Sequence, residues 1–103
     1  MSTLPKSYSQ FQEENQEIFT AYQSLGELIS KQVTFDSKTR ELLKLAMAAG
    51  IGSEGAVQSH AHRALEAGAS KEEVEHTLLL GVTTLGFPRM MAALTWAKVA
   101  LKP

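Results

Sequence analysis

Three histidines and eleven acidic side chains, with a scatter of hydroxyls and arginines, make up the catalytic inventory of this 103-residue chain, which has no cysteine. Without a thiol, disulfides, cysteine–zinc sites, iron–sulfur clusters and thiolate nucleophiles are excluded. The pair with the most informative spacing is Glu41 and His60. Between them lie Gly50 and Gly52, a glycine turn that would fold one helix back on the next. Glu41 then sits about 14 Å before the turn and His60 about 10 Å into the following helix, so a long glutamate can approach the imidazole. A carboxylate on one ring nitrogen orients the histidine and leaves the other nitrogen to give or take a proton near neutral pH. The spacing also fits a surface acid beside Arg40 and Lys44 and a partly buried packing histidine, and on spacing alone both readings stay open.

The remaining candidates are weaker. His60 and His62 are two apart, roughly 200° around a helix, and cannot share a metal from it; i, i+4 would be needed. No metal site is expected. His62 with Glu66 and Glu72 with His76 read as i, i+4 surface pairs. Ser53 has no local base and is better explained as a helix N-cap than as a nucleophile. Arg89 follows Gly86-Phe87-Pro88, where it is either a carboxylate contact at a mouth between helices or a solvated first-turn residue. Gly50-Ile51-Gly52 has no strand before it and is not a phosphate loop.

The elements that must position these groups all read as helices, giving an all-α chain. Phe11, Ile18, Tyr22, Leu25 and Ile29 form an apolar stripe on a first helix from about Lys6 to Ser30, with Pro5 in its first turn. Asp36 caps a second helix to about Ala49, ended by Gly50 and Gly52. Ser53 caps a third, Glu54 to Ala67, stopped at Gly68. Ser70 and Glu73 have capping-box spacing and start a fourth, which carries Val74 through Leu85. A fifth runs from about Arg89 to Leu101 and is apolar around most of its circumference. So apolar a helix must be buried on most sides, and a chain this small offers few elements to do it. Part of that surface is therefore expected between subunits; the alternative is a central helix inside a monomer.

Ten basic and eleven acidic residues leave a net charge of −1, which gives no reason to expect nucleic acid or an anionic membrane as partner. The apolar-rich run Thr77 to Pro88 is too short to span a bilayer and reads as a buried helix. The polar N-terminus lacks a signal-peptide core, so a cytoplasmic protein of one domain is expected, with an N-terminal helix over 1–32 and a core over 35–101.

Taken together, Asp36-Ser37-Lys38-Thr39-Arg40-Glu41-Leu42, the glycine turn, His60-Ala61-His62-Arg63-Ala64-Leu65-Glu66-Ala67-Gly68-Ala69-Ser70 and Gly86-Phe87-Pro88 resemble the carboxymuconolactone decarboxylase and AhpD-like superfamily. The resemblance covers about residues 35–98. It implies an AhpD-like bundle of about five to six helices that assembles as a homotrimer or hexamer. In the AhpD-like branch a glutamate precedes C-x-x-C-x-x-x-H by eleven residues. On this chain the glutamate falls on Glu41, the cysteines on Ser53 and Ala56, and the histidine on His60. Thiol peroxidase chemistry is thereby excluded, since neither a hydroxyl nor a methyl replaces a thiolate. The decarboxylase branch also lacks the cysteines and keeps the histidine, but carries a turn resembling R-E-H-E where this chain has Ser53-Glu54-Gly55-Ala56. That likeness implies decarboxylation of a small cyclic carboxylate without metal or organic cofactor. His60 would be the proton donor, held by Glu41. His62 and Arg89, with Ser53 and Glu54 at the turn, are the expected substrate contacts. A non-catalytic oligomer of the same fold is the alternative.

Overall fold

The computed structural model describes residues 6–102, and every regular element among them is an α-helix. They form two compact units, with the boundary between Thr34 and Phe35. Pro5, expected in the first turn, lies outside the described residues.

The N-terminal unit holds α1 (Lys6–Glu14) and α2 (Gln16–Gln32). A single helix was expected here. Asn15 leaves helical geometry instead, at φ −138° and ψ 58°. An asparagine side chain competes for nearby backbone groups, and here the Asn15 amide donates to the Phe11 carbonyl at 3.4 Å. Phe19 is buried, with its ring edge-to-face against Tyr8 at 5.4 Å. Phe19 is not in the expected stripe, and all five of the stripe's residues, Phe11, Ile18, Tyr22, Leu25 and Ile29, are exposed.

The second unit contains α3 (Ser37–Ile51), α4 (Glu54–Glu66), α5 (Lys71–Leu79), α6 (Val82–Leu85) and α7 (Phe87–Leu101). Its helix starts follow from local chemistry. Asp36 accepts from the Thr39 N–H at 2.8 Å, and Ser53 accepts from Ala56 at 3.3 Å. Ser70 and Glu73 exchange backbone-to-side-chain bonds of 3.0 and 2.9 Å, a complete capping box. Gly50, expected to end α3, is helical; the stop is Gly52, at φ 72°. The helix expected from Ser70 to Leu85 ends at Leu79, and α6 is separate from it. So the run Thr77–Pro88 is not one buried helix: it is broken at Gly81 and Gly86, and Leu80 is 78% exposed.

The core is assembled largely from alanines and a few larger side chains, of which Leu45, Val57 and Val74 are the biggest that are fully buried. Alanine lets helix backbones approach closely, so α3 and α4 form a tight hairpin against α7. Within one chain α7 is not buried on most sides. It starts at Phe87, with Pro88 in its first turn, and buries one stripe of Met90, Ala93, Ala97 and Leu101, while Phe87, Met91 and Val99 stay exposed.

Candidate active site

Glu41 lies in the middle of α3, and one and two turns on from it come Leu45 and Ala48, both buried. His60 lies in the middle of α4, between Val57 and Ala61, both fully buried. The hydrophobic seam of the hairpin therefore sets the register that brings the two polar groups together. Glu41 Oε1 and His60 Nδ1 are 2.8 Å apart. Both side chains are largely withdrawn from solvent, at 14% and 19% exposure. With Glu41 ionised, Nδ1–H donates to the carboxylate, which fixes the ring and leaves Nε2 as the working nitrogen. A histidine held this way can deliver or accept one proton along a defined direction.

The other expected site residues are placed elsewhere. Ser53 is the N-cap of α4, seven residues before His60, about 10 Å along the helix. Glu54 is exposed and accepts from Gln58 at 3.4 Å. His62 pairs with Glu66 at 3.4 Å on a different face of α4 from His60. Among the described residues no ion pair joins Glu72 to His76. Arg89 stands exposed in the first turn of α7. Its guanidinium caps the C-terminal end of α3, donating to the Gly50 carbonyl at 3.0 Å and the Ala49 carbonyl at 3.5 Å. Those carbonyls lie eight and nine residues beyond Glu41, about 12–14 Å along α3. Within one chain, then, only Glu41 and His60 are brought into contact.

Sequence reasoning missed three features. Lys38 reaches across to Glu73 at 3.0 Å and ties α3 to α5. Arg40 donates to the Phe35 carbonyl and Ser37 Oγ, yet its Nε is buried without a partner. Between α3, α5 and α6 runs an open, mainly apolar groove of about 340 Å³, lined among others by Leu42, Ala46, Leu78 and Leu85, with Thr39, Thr77 and Thr84 supplying hydroxyls. Its lining includes neither Glu41 nor His60. The threonine and leucine spacing on α3 held that signal, but which face met α5 and α6 was not readable without the break at Gly81. Among the described residues no cluster of three or more His, Asp or Glu side chains is placed to hold a metal ion.

Comparison with known proteins adds three findings. The sequence model of the carboxymuconolactone decarboxylase family matches residues 16–99. An uncharacterized protein of Haemophilus influenzae is 35% identical over 63 residues, which is 61% of this chain and 56% of that protein. That match therefore spans little more than half of the Haemophilus protein. The crystal structure of an apo carboxymuconolactone decarboxylase family protein from Legionella pneumophila superposes with a TM-score of 0.77 at 28% identity, over 93% of this chain and 88% of that one.

Proposed function

The chain belongs to the carboxymuconolactone decarboxylase family, and on that premise we propose that it is a cytoplasmic, homo-oligomeric lyase that removes carbon dioxide from a small cyclic carboxylate such as a lactone. The observation that carries this reading is the 2.8 Å contact between Glu41 and the His60 ring in a seam largely closed to water.

The chemistry asks for little beyond that pair. When the carboxylate of such a lactone leaves as carbon dioxide, the carbon–carbon bonding electrons pass into the conjugated carbonyl as an enolate. The protonated His60 then donates its Nε2 proton to carbon, and Glu41 stabilises the imidazolium while it waits. A proton from water restores His60. Neither a metal nor an organic cofactor enters this sequence.

Incubation with γ-carboxymuconolactone tests it. The expected result is carbon dioxide release that is lost in His60→Ala and falls roughly 10–100-fold in Glu41→Gln, the range seen for carboxylates that orient metal-bound imidazoles. Both variants should elute at the wild-type size. Full turnover in His60→Ala would remove the histidine from the mechanism, and no release by the wild type would end the lactone reading. A second reading, a non-catalytic protein of this fold, is favoured by one observation: the 340 Å³ groove lies on a face of α3 that does not include Glu41.

A further inference from the structure

Decarboxylation has one need that Glu41 and His60 do not meet. The carbonyl oxygen becomes negative as the enolate forms, and a cation aimed at that oxygen is the most effective help a protein can give. Arg89 and Ser53 lie about 10 Å or more from the pair along their contacts with α3 and α4. His62 is on a different face of α4, and Glu54 is itself an anion. The helix that carries Glu41 has three cations of its own, Lys38, Arg40 and Lys44. Lys38 is held by Glu73 at 3.0 Å, and Arg40 is turned back onto the Phe35 carbonyl and Ser37 Oγ. Lys44 is half-buried, and among the described residues it takes part in no ion pair.

Lys44 stands beside the pair. It follows Glu41 by three residues, about 60° round α3 and about 4.5 Å nearer the glycine turn. The buried Leu45 and Ala49 lie on the other side of Glu41 round the helix, so Lys44 is on the side away from the core. At its height across the hairpin α4 carries Ala56 and Val57, which have no charge to offer it. Glu41 is the sole acid of α3, and its Oε1 is taken by His60. The acids of α4, Glu54 and Glu66, are exposed at its two ends. Arg63, three residues after His60, shares the outer side but is exposed, where water screens its charge. A half-buried ammonium without an acid of its own is uncompensated until an anion reaches it.

We propose that Lys44 is the anion-binding group of this site, donating to the enolate oxygen of a small cyclic lactone while His60 protonates its carbon. The proposal rests on the decarboxylase reading. As the carbon–carbon bond to the carboxylate breaks, its electron pair moves into the conjugated carbonyl, and the Lys44 ammonium hydrogen-bonds to the oxygen that gains the charge. The Nε2 proton of His60 then goes to carbon, the carbonyl re-forms and Lys44 keeps its proton. A four-carbon stem spans the offset along α3 and brings a compact point charge, suited to one oxygen atom.

Tetronate, a stable cyclic enolate on a five-membered lactone ring, is the probe, and butenolide is its neutral counterpart. Binding to the full chain is followed by NMR titration. The wild type should prefer tetronate to butenolide by roughly tenfold or more, and Lys44→Met should weaken tetronate about 10–100-fold, as expected for a hydrogen bond to a charged group. Butenolide binding should not change. Lys44→Arg should recover most of the loss, and Arg63→Met should leave tetronate affinity as in the wild type. On γ-carboxymuconolactone, Lys44→Met should lower kcat with KM little altered. Equal tetronate affinity in wild type and Lys44→Met would overturn the proposal, as would a loss that follows Arg63 instead. Normal kcat in Lys44→Met would also overturn it and leave the lyase standing. Tetronate binding that depends on Lys44, with no carbon dioxide released by the wild type, would end the lyase reading and keep the anion site.

Discussion

In the proposed reaction His60 would work by being held. Its imidazole has one nitrogen on Glu41 at 2.8 Å, and its helix buries Val57 and Ala61 on either side of it in sequence. Replacing Glu41 by glutamine keeps the shape but removes the anion that supports an imidazolium, so the loss should fall on kcat more than on KM. Steady-state kinetics on the lactone separate the two. Leu45, one turn after Glu41 and completely buried, is the side chain that sets the hairpin register there. Leu45→Ala should cost about 2–5 kcal/mol in urea unfolding, because the alanine-rich surroundings offer little with which to refill the space. Which acid faced His60 was legible from the glycine turn and the rise of a helix. The seclusion of the pair from water was not, because it depends on which face of α4 meets α3.

At the scale of the elements, helix ends were the most legible feature. Asp36, Ser53 and the Ser70–Glu73 box act where their residue types and spacing place them, since a cap is a contact within four residues. The end of α3 was only half legible. Gly52 takes φ 72°, and a Cβ there would collide with the Arg89 guanidinium that covers the last carbonyls. Gly52→Ala should therefore cost about 1–3 kcal/mol, and less in an Arg89→Ala background, where only the backbone strain remains; a double-mutant cycle by denaturant melts reads the difference. The caps also set an acid response. The Thr39 backbone N–H holds the Asp36 carboxyl below its ordinary range, and the Ser70 N–H, followed by Lys38, does the same for Glu73. A carboxyl with a lowered folded pKa adds stability that is complete above its unfolded value, about 4, and is lost as pH falls through the folded one. The urea midpoint should thus drop between about pH 5 and pH 2, and drop less in Asp36→Asn/Glu73→Gln, as followed by circular dichroism.

For the second unit, a core built mainly of alanine leaves much apolar surface outside, including Phe87, Met91 and Val99. Association would cover such surface, and it adds stability by mass action. The melting temperature should therefore rise with protein concentration. A scan over a hundredfold concentration range checks this; a flat wild-type profile would count against assembly. The excess of apolar residues on the last helix was visible as pattern. That its open side would carry Phe87, Met91 and Val99 was not.

Pattern and spacing alone determined that the chain is helical, where most helices begin, that no thiol chemistry is open to it, and that Glu41 and His60 lie at matching heights on neighbouring helices. These are short-range consequences of residue type, 3.6-residue periodicity and chain reach. Tertiary structure decided the rest: that Glu41 and His60 touch, that Arg89 reaches the C-terminal end of α3, that the 77–88 run is broken at both Gly81 and Gly86, and that α7 buries only one stripe within one chain. Each of those depends on which faces meet across long stretches of sequence, and side-chain periodicity sets how wide an apolar face is without naming the surface that covers it.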